Sequence, residues 1–127
     1  MNGALRVATV SVTTTGGAGV ATGSASTSFP IIGEIMAIYL DFHASAPATT
    51  DTTIATTNAP VFNILVVTNS VTDAIKAPRL GAVDSSNAAI TNSFVPFVVA
   101  DTITVSLAQC DALTGAVRAT IWYREMN

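Results

Sequence analysis

The chain has 127 residues, of which 10% are charged and 50% apolar, and it carries a net charge of −3 from eight acids and five bases. That length suits one domain with its own core, and the charge is well under the roughly 25% of ordinary globular chains. The cations Arg6, Lys76, Arg79, Arg118 and Arg124 are scattered, so no phosphate-binding patch forms and nucleic acid is not an expected partner. One cysteine, Cys110, leaves no intrachain disulfide and no cysteine-built zinc site. The longest wholly apolar run, "IMAIYL" (35–40), is far short of the ~18 residues of a spanning helix, so a membrane is not an expected partner. The start "MNGALRVATV" has no basic segment followed by a long apolar one, which is the expectation for a cytoplasmic product. Ala, Thr, Ser and Val make up half the residues. A surface so poor in charge is expected to be covered partly by hydroxyls and partly by other subunits.

Period-2 patterns dominate, and no long segment has the spacing of an amphipathic helix. "LRVATVSVTTT" (5–15) alternates Val10 and Val12 with Thr9, Ser11 and Thr13. The glycines of "TGGAG" (15–19) suit a hairpin turn into the return strand "VATGSASTS" (20–28), which Pro30 ends. "IIGEIMAIYLDFHA" (31–44) predicts a strand with Met36, Ile38, Leu40 and Phe42 toward the core and Tyr39, Asp41 and His43 on the other face. Polar residues 45–60 predict a loop with at most one short edge strand. "VFNILVVTN" (61–69) predicts a core strand, and 70–93 is the longest irregular stretch. "FVPFVVA" (94–100), "DTITVSLAQ" (101–109) and "GAVRATIWYRE" (115–125) complete the set, with "CDALTG" (110–115) as the turn into the last strand. About eight short strands over a single domain, residues 1–127, predict an all-β fold: an antiparallel β-sandwich, jelly-roll-like.

Candidate chemistry is sparse. Strand geometry sets Asp41 and His43 about 7 Å apart on one face, within reach of a shared proton or ligand. A catalyst needs a nucleophile or electrophile as well, and a metal needs more ligands; only Asp51, Asp73 or Asp84 are at hand to complete the set. Cys110 with His43 lacks an orienting third group, "DSSN" (84–87) lacks the alternating acids of a calcium loop, and "TGGAGVATG" (15–23) lacks a phosphate-loop lysine. No catalytic, cofactor-binding or metal-ligating residue is therefore expected. Tyr39, Asp41 and His43 read instead as a polar face touching a neighbouring subunit. On the last strand Trp122 and Tyr123 face opposite sides, and Arg118, Thr120, Trp122 and Arg124 share a face suited to an intersubunit contact. Asp73, Lys76 and Arg79, in the long irregular stretch, complete the set of expected interface residues.

The segments "GEIMAIYLDFHASAPATTDTTI" (33–54), "ILVVTNSVTDAIKAPR" (64–79), "VPFVVADTITVSLAQCDAL" (95–113) and "VRATIWYRE" (117–125) together resemble the small β-sandwich decoration, or cement, proteins of tailed bacteriophage virions. The resemblance implies a non-enzymatic virion protein, assembled in the host cytoplasm, that sits outside the capsid shell. Such proteins often form trimers and clamp neighbouring copies of the major capsid protein. Residues 70–93 and the N-terminal strand are then the expected subunit- or capsid-facing elements. The rival expectation is a carbohydrate- or receptor-binding sandwich of a tail or spike, which would use Tyr39, Asp41 and His43, or Trp122, as its platform.

Overall fold

The alternation read from the sequence becomes eleven strands and no helix in the computed structural model, which describes residues 3–126. They are β1 (Leu5–Val12), β2 (Ala21–Ser26), β3 (Ile31–Phe42), β4 (Asp51–Thr56), β5 (Asn63–Val67), β6 (Ala74–Lys76), β7 (Arg79–Val83), β8 (Ala89–Pro96), β9 (Val98–Asp101), β10 (Ile103–Cys110) and β11 (Val117–Glu125). All pairings are antiparallel. One sheet runs β1-β11-β3-β6, with β9 also on β3; the other runs β2-β10-β4-β5; β7 and β8 form a separate ribbon.

Along β3, β6 covers Ile38 to Leu40 and β9 covers Ile31 to Glu34, on the same edge. They are two halves of one edge strand, interrupted opposite residues 35–37, where the chain leaves to make the β7–β8 ribbon. Counting the halves as one gives eight strand positions, ordered 1-8-3-6 in one sheet and 2-7-4-5 in the other. The first and last strands lie side by side, and successive strands alternate between sheets except that strands 4 and 5 pair as neighbours in one sheet. This is the jelly-roll arrangement. The predicted fold class and the eight positions thus stand, with the ribbon as an insertion.

Apolar side chains from both inner faces meet in one cluster. Val10, Val12, Ile31, Ile35, Ile38, Leu40, Val117 and Ile121 come from the first sheet, and Ile54, Ile64, Ile103, Val105 and Leu107 from the second. The buried polar residues are all threonines: Thr14, Thr27, Thr50, Thr52 and Thr56. Four of them serve crossings or turns. Thr14 Oγ1 donates to the Asp111 carbonyl and accepts from Leu113 N–H, tying the 13–20 crossing to the 111–116 crossing. Thr27 Oγ1 donates to Phe29 O and accepts from Ile103 N–H. Thr50 Oγ1 donates to Pro47 O, and Thr56 Oγ1 donates to Pro60 O while accepting from Phe62 N–H. Thr52, near the start of β4, has no partner for its hydroxyl.

Several expectations are corrected. Residues 15–19 do not close a hairpin, because β1 and β2 belong to different sheets; only a Thr15–Thr22 bridge joins them before they diverge. Residues 45–60 hold β4, a central strand between β10 and β5, whose Thr52, Ile54 and Thr56 point inward. Threonine hydroxyls masked that inward face as polar. Met36 is half-buried, and Ile35 takes its expected core position. The cause is a bulge in which Trp122 pairs with Ala37 and Tyr123 with Ile35, so that Met36 is the extra residue and the alternation changes phase. The irregular stretch 70–93 contains β6, β7 and the start of β8, and "FVPFVVA" is divided between β8 and β9 at Phe97.

Candidate functional site

The two outer faces of the sandwich differ in chemistry. On the four-stranded sheet, Ser24, Ser106 and Thr53 lie in one row across three strands, and Ser26 and Thr104 in the next. Ser26 Oγ and Thr57 Oγ1 each lie 2.7 Å from Thr104 Oγ1. That face is rich in hydroxyls, three of which bond to one another, with Val66 exposed at its β5 edge. The outer face of the other sheet carries Leu5 and Val7 of β1, Arg118, Thr120, Trp122 and Arg124 of β11, Ile32, Glu34, Tyr39 and Asp41 of β3, and Ile75 of β6. Register places Trp122 between Val7 and Ala37, Thr120 between Thr9 and Tyr39, and Arg118 between Ser11 and Asp41. Trp122 and Tyr39 are both half-buried and sit diagonally across the β3–β11 pair. Tyr123, its neighbour in sequence, is in the core.

Five of the nine sequence-predicted interface residues, Tyr39, Asp41, Arg118, Trp122 and Arg124, are thereby brought onto one sheet face. The others are placed elsewhere. β3 ends at Phe42, and His43 is exposed beyond it, its Nδ1 accepting the Ser45 N–H at 3.0 Å within a local turn. Asp73 Oδ1 accepts the Phe42 N–H at 2.8 Å and caps the end of β3. Arg79 Nη1 donates to Met36 O at 3.2 Å, serving the bulged strand at the point where the edge strand is interrupted. Lys76 is exposed on the short edge strand β6, opposite Ile38. Among the described residues no group of three or more His, Cys, Asp or Glu is arranged to hold a metal ion. The Arg6–Glu125 salt bridge, at 2.8 Å, is exposed at the sheet edge.

The feature the sequence reading missed is the β7–β8 ribbon. Its turn is well specified: Asp84 N–H donates to Ala88 O at 2.8 Å, and Asp84 Oδ1 accepts from Ser86 N–H at 2.8 Å and Ala88 N–H at 3.0 Å. Asn87 adopts positive φ, which asparagine tolerates. The ribbon itself is apolar and bare: Leu80, Val83, Ile90, Phe94 and Val95 are all exposed, Phe94 at 65%. Leu80 pairs with Val95 on one ribbon face, and Phe94 with Gly81 on the other. A two-stranded ribbon on its own is marginally stable in water. Its signal in the sequence is a stretch of 79–98 with two charges only, Arg79 and Asp84, in a region too long for a simple connection.

Where the ribbon meets the body lies an apolar groove of about 530 Å³, lined by Phe62, Asn63, Leu80, Val95, Pro96, Phe97 and Val98. Phe62 and Phe97 stack at its floor, with ring centroids 6.0 Å apart and planes at 17°. Phe62 is delivered by the 57–62 loop, which Asp101 holds: its Oδ2 accepts the Asn58 N–H at 2.7 Å and its Oδ1 the Asn58 side-chain amide at 2.6 Å. These bonds from Asn58, the backbone one foremost, hold the Asp101 carboxyl below its ordinary 3.8.

No protein-family model and no curated protein matches the chain. Among solved structures, a mutant of the family 29 carbohydrate-binding module CBM29-2 is similar at 13% sequence identity and a TM-score of 0.37, over 97% of this chain and 81% of that one. This is a distant likeness, and nothing about ligands passes from it to this chain.

Proposed function

We propose that this chain is a non-catalytic structural module that joins protein surfaces through its β7–β8 arm, and that its setting is a virion shell, where it acts as a decoration protein bridging neighbouring capsid subunits. The observation that carries this reading is the arm: an apolar ribbon, bare on both faces, projecting from the interrupted edge strand of an otherwise closed sandwich. Apolar surface of this kind stays in a protein when a partner covers it. Repetition on a symmetric shell multiplies a modest contact into strong attachment. The virion setting comes from the segment resemblance described above and gains its physical support from the arm.

The test is occupancy of purified shells. An arm-less chain, with residues 77–96 replaced by two residues so that Phe97 stays in the body and β6 joins β9, is compared with the intact chain by co-sedimentation. Intact chain in the pellet and arm-less chain in the supernatant support the reading; equal occupancy sinks it.

A second reading rests on the Trp122 face. A half-buried indole beside Tyr39, with Arg118 and Arg124 on the same strand, offers a stacking platform of the kind a sugar ring uses. Glycan-array binding that is lost in Trp122→Ala and kept in the arm-less chain favours that function.

A further inference from the structure

We propose that two copies of this chain pair face to face through the outer side of the β1-β11-β3-β6 sheet, about a two-fold axis that runs along the strands between β11 and β3. The inference is independent of the arm, which leaves the sheet at its edge, and it gives the Trp122 face a second copy as its occupant.

Register carries it. On the β11–β3 pair, Arg118 lies opposite Asp41, Thr120 opposite Tyr39, Trp122 opposite Ala37 and Arg124 opposite Glu34. A two-fold axis between the two strands turns each of these in-sheet neighbours into a facing pair across the interface, and makes each pair twice. Arg118 of one copy then meets Asp41 of the other, and Arg124 meets Glu34. The same operation sets each Trp122 indole over the other copy's Ala37, a large side chain against a small one. Sheets packed face to face lie about 10 Å apart and within about 30° of alignment. An arginine and a carboxylate together span that gap.

Charge selects this axis. The outward positions of β11 and β3 carry two acids and two bases, Glu34, Asp41, Arg118 and Arg124. An axis across the strands instead would set Arg118 against Arg124 and Asp41 against Glu34, like against like. The remaining cations stand off the face. Arg6 lies opposite the inward Tyr123 and is paired with Glu125, and Lys76 lies opposite the inward Ile38. Arg79 and Asp73 bond the Met36 carbonyl and the Phe42 N–H at the outer edge of β3. At that edge the second copy brings β1, whose outward Leu5, Val7, Thr9 and Ser11 carry no charge.

Size agrees. Leu5, Val7, Ile32 and Ile75 all point outward from this one sheet and are between 51% and 66% exposed. They supply on the order of 400 Å² of bare apolar surface per copy, and Trp122, Tyr39 and the four charged side chains bring the face toward the roughly 800 Å² that each partner gives to a standard interface. A sugar ring stacked on Trp122 would leave Leu5 and Ile75 bare, because they lie on the strands at the two sides of the β11–β3 pair. A second copy covers all four strands.

The experiment measures mass in solution by sedimentation equilibrium for the intact chain, the arm-less chain, Arg118→Glu and Asp41→Arg. Pairing predicts twice the 13.0 kDa of the single chain for the intact protein, and a dimer of equal strength without the arm. Both substituted positions are exposed, so each variant is expected to keep its circular-dichroism spectrum. Each sets like charges against each other twice across the axis and should weaken the dimer constant at least about a hundredfold. An equimolar mixture of the two variants should form a 1:1 dimer, because one copy then presents two acids where the other presents two bases. A chain carrying both exchanges should pair with itself again. An intact chain that is a monomer at about 100 µM, a mass of three chains, a dimer lost with the arm, an Arg118→Glu dimer as strong as the intact one, or a mixture that stays monomeric overturns the proposal. A monomer that binds glycans through Trp122 overturns it too and gives the face to sugar. Failure of the arm reading shows separately, as shell occupancy that is unaffected when the arm is removed.

Discussion

Threonine is the residue through which this chain handles polarity inside its core. Thr14, Thr27, Thr50 and Thr56 offer a hydroxyl to turn backbone that would otherwise be buried without partners. Thr52 is the exception, with its Oγ1 buried and unbonded. Thr52→Val keeps the shape and removes an unsatisfied donor, so it is expected to stabilise the fold by about 1 kcal/mol, roughly 3–6 °C in melting temperature. A melting temperature that falls would show that the hydroxyl has a partner in solution. Gly33 is set by approach rather than by a turn: a Cβ there would overlap the Arg124 carbonyl oxygen of the adjacent strand. Gly33→Ala should lose roughly 1–3 kcal/mol in urea unfolding, and an unchanged midpoint would refute so close a packing of β3 on β11. Asp101 titrates below its ordinary 3.8 in the folded chain. Its hold on the 57–62 loop is therefore complete above 3.8 and lost as the pH falls through the lower folded value. Amide resonances of Asn58 and Phe62 should shift together in that acid window in the native chain and not in Asp101→Asn.

At the scale of elements, strands were legible wherever β-branched residues alternate with small polar ones, as in β1, β10 and β11. Two bulges were not. In β3 the extra residue Met36 brings Ile35 inward. In β10 the register shifts between Leu107 and Cys110, with Gln109 at positive φ, so Cys110 is buried and Gln109 reaches Asp51 at 3.0 Å. A bulge changes the phase of alternation without any change in residue type, and only the partner strand reveals it. β4 was hidden for another reason, since its inward residues include two threonines. The β7–β8 arm is the element whose removal costs the body least. β6 and β9 already lie on one edge with three residues of β3 between them, so joining them across that gap restores a continuous strand. The arm-less chain is expected to melt within about 5 °C of the intact one. Loss of the folding transition would mean that the arm is part of the core.

At the scale of the whole molecule, the two sheets present different outsides: a row-by-row run of hydroxyls on one, and apolar and aromatic side chains with flanking arginines on the other. Five predicted interface residues converge on the second because β11 lies between β1 and β3 and carries Trp122 outward. His43, Asp73 and Arg79 do not join them, since each is held by backbone at the end or the interruption of a strand. Attachment to a shell through the proposed apolar arm should be nearly unchanged between 0.05 and 0.5 M salt, well past the range in which surface charges are screened. Occupancy that is lost as salt rises would locate the contact on the Arg118–Trp122–Arg124 face instead.

By itself the sequence determined the class of the fold, most of the core, the outward Trp122 and the poverty of charge, because each of these follows from local alternation and composition. Only the tertiary structure decided which strands share a sheet, where alternation changes phase, and that the chain between Lys76 and Val98 leaves the sandwich as a bare apolar arm beside a groove of matching chemistry. These depend on pairing between residues far apart in the chain, and on which side chains the folded body leaves uncovered.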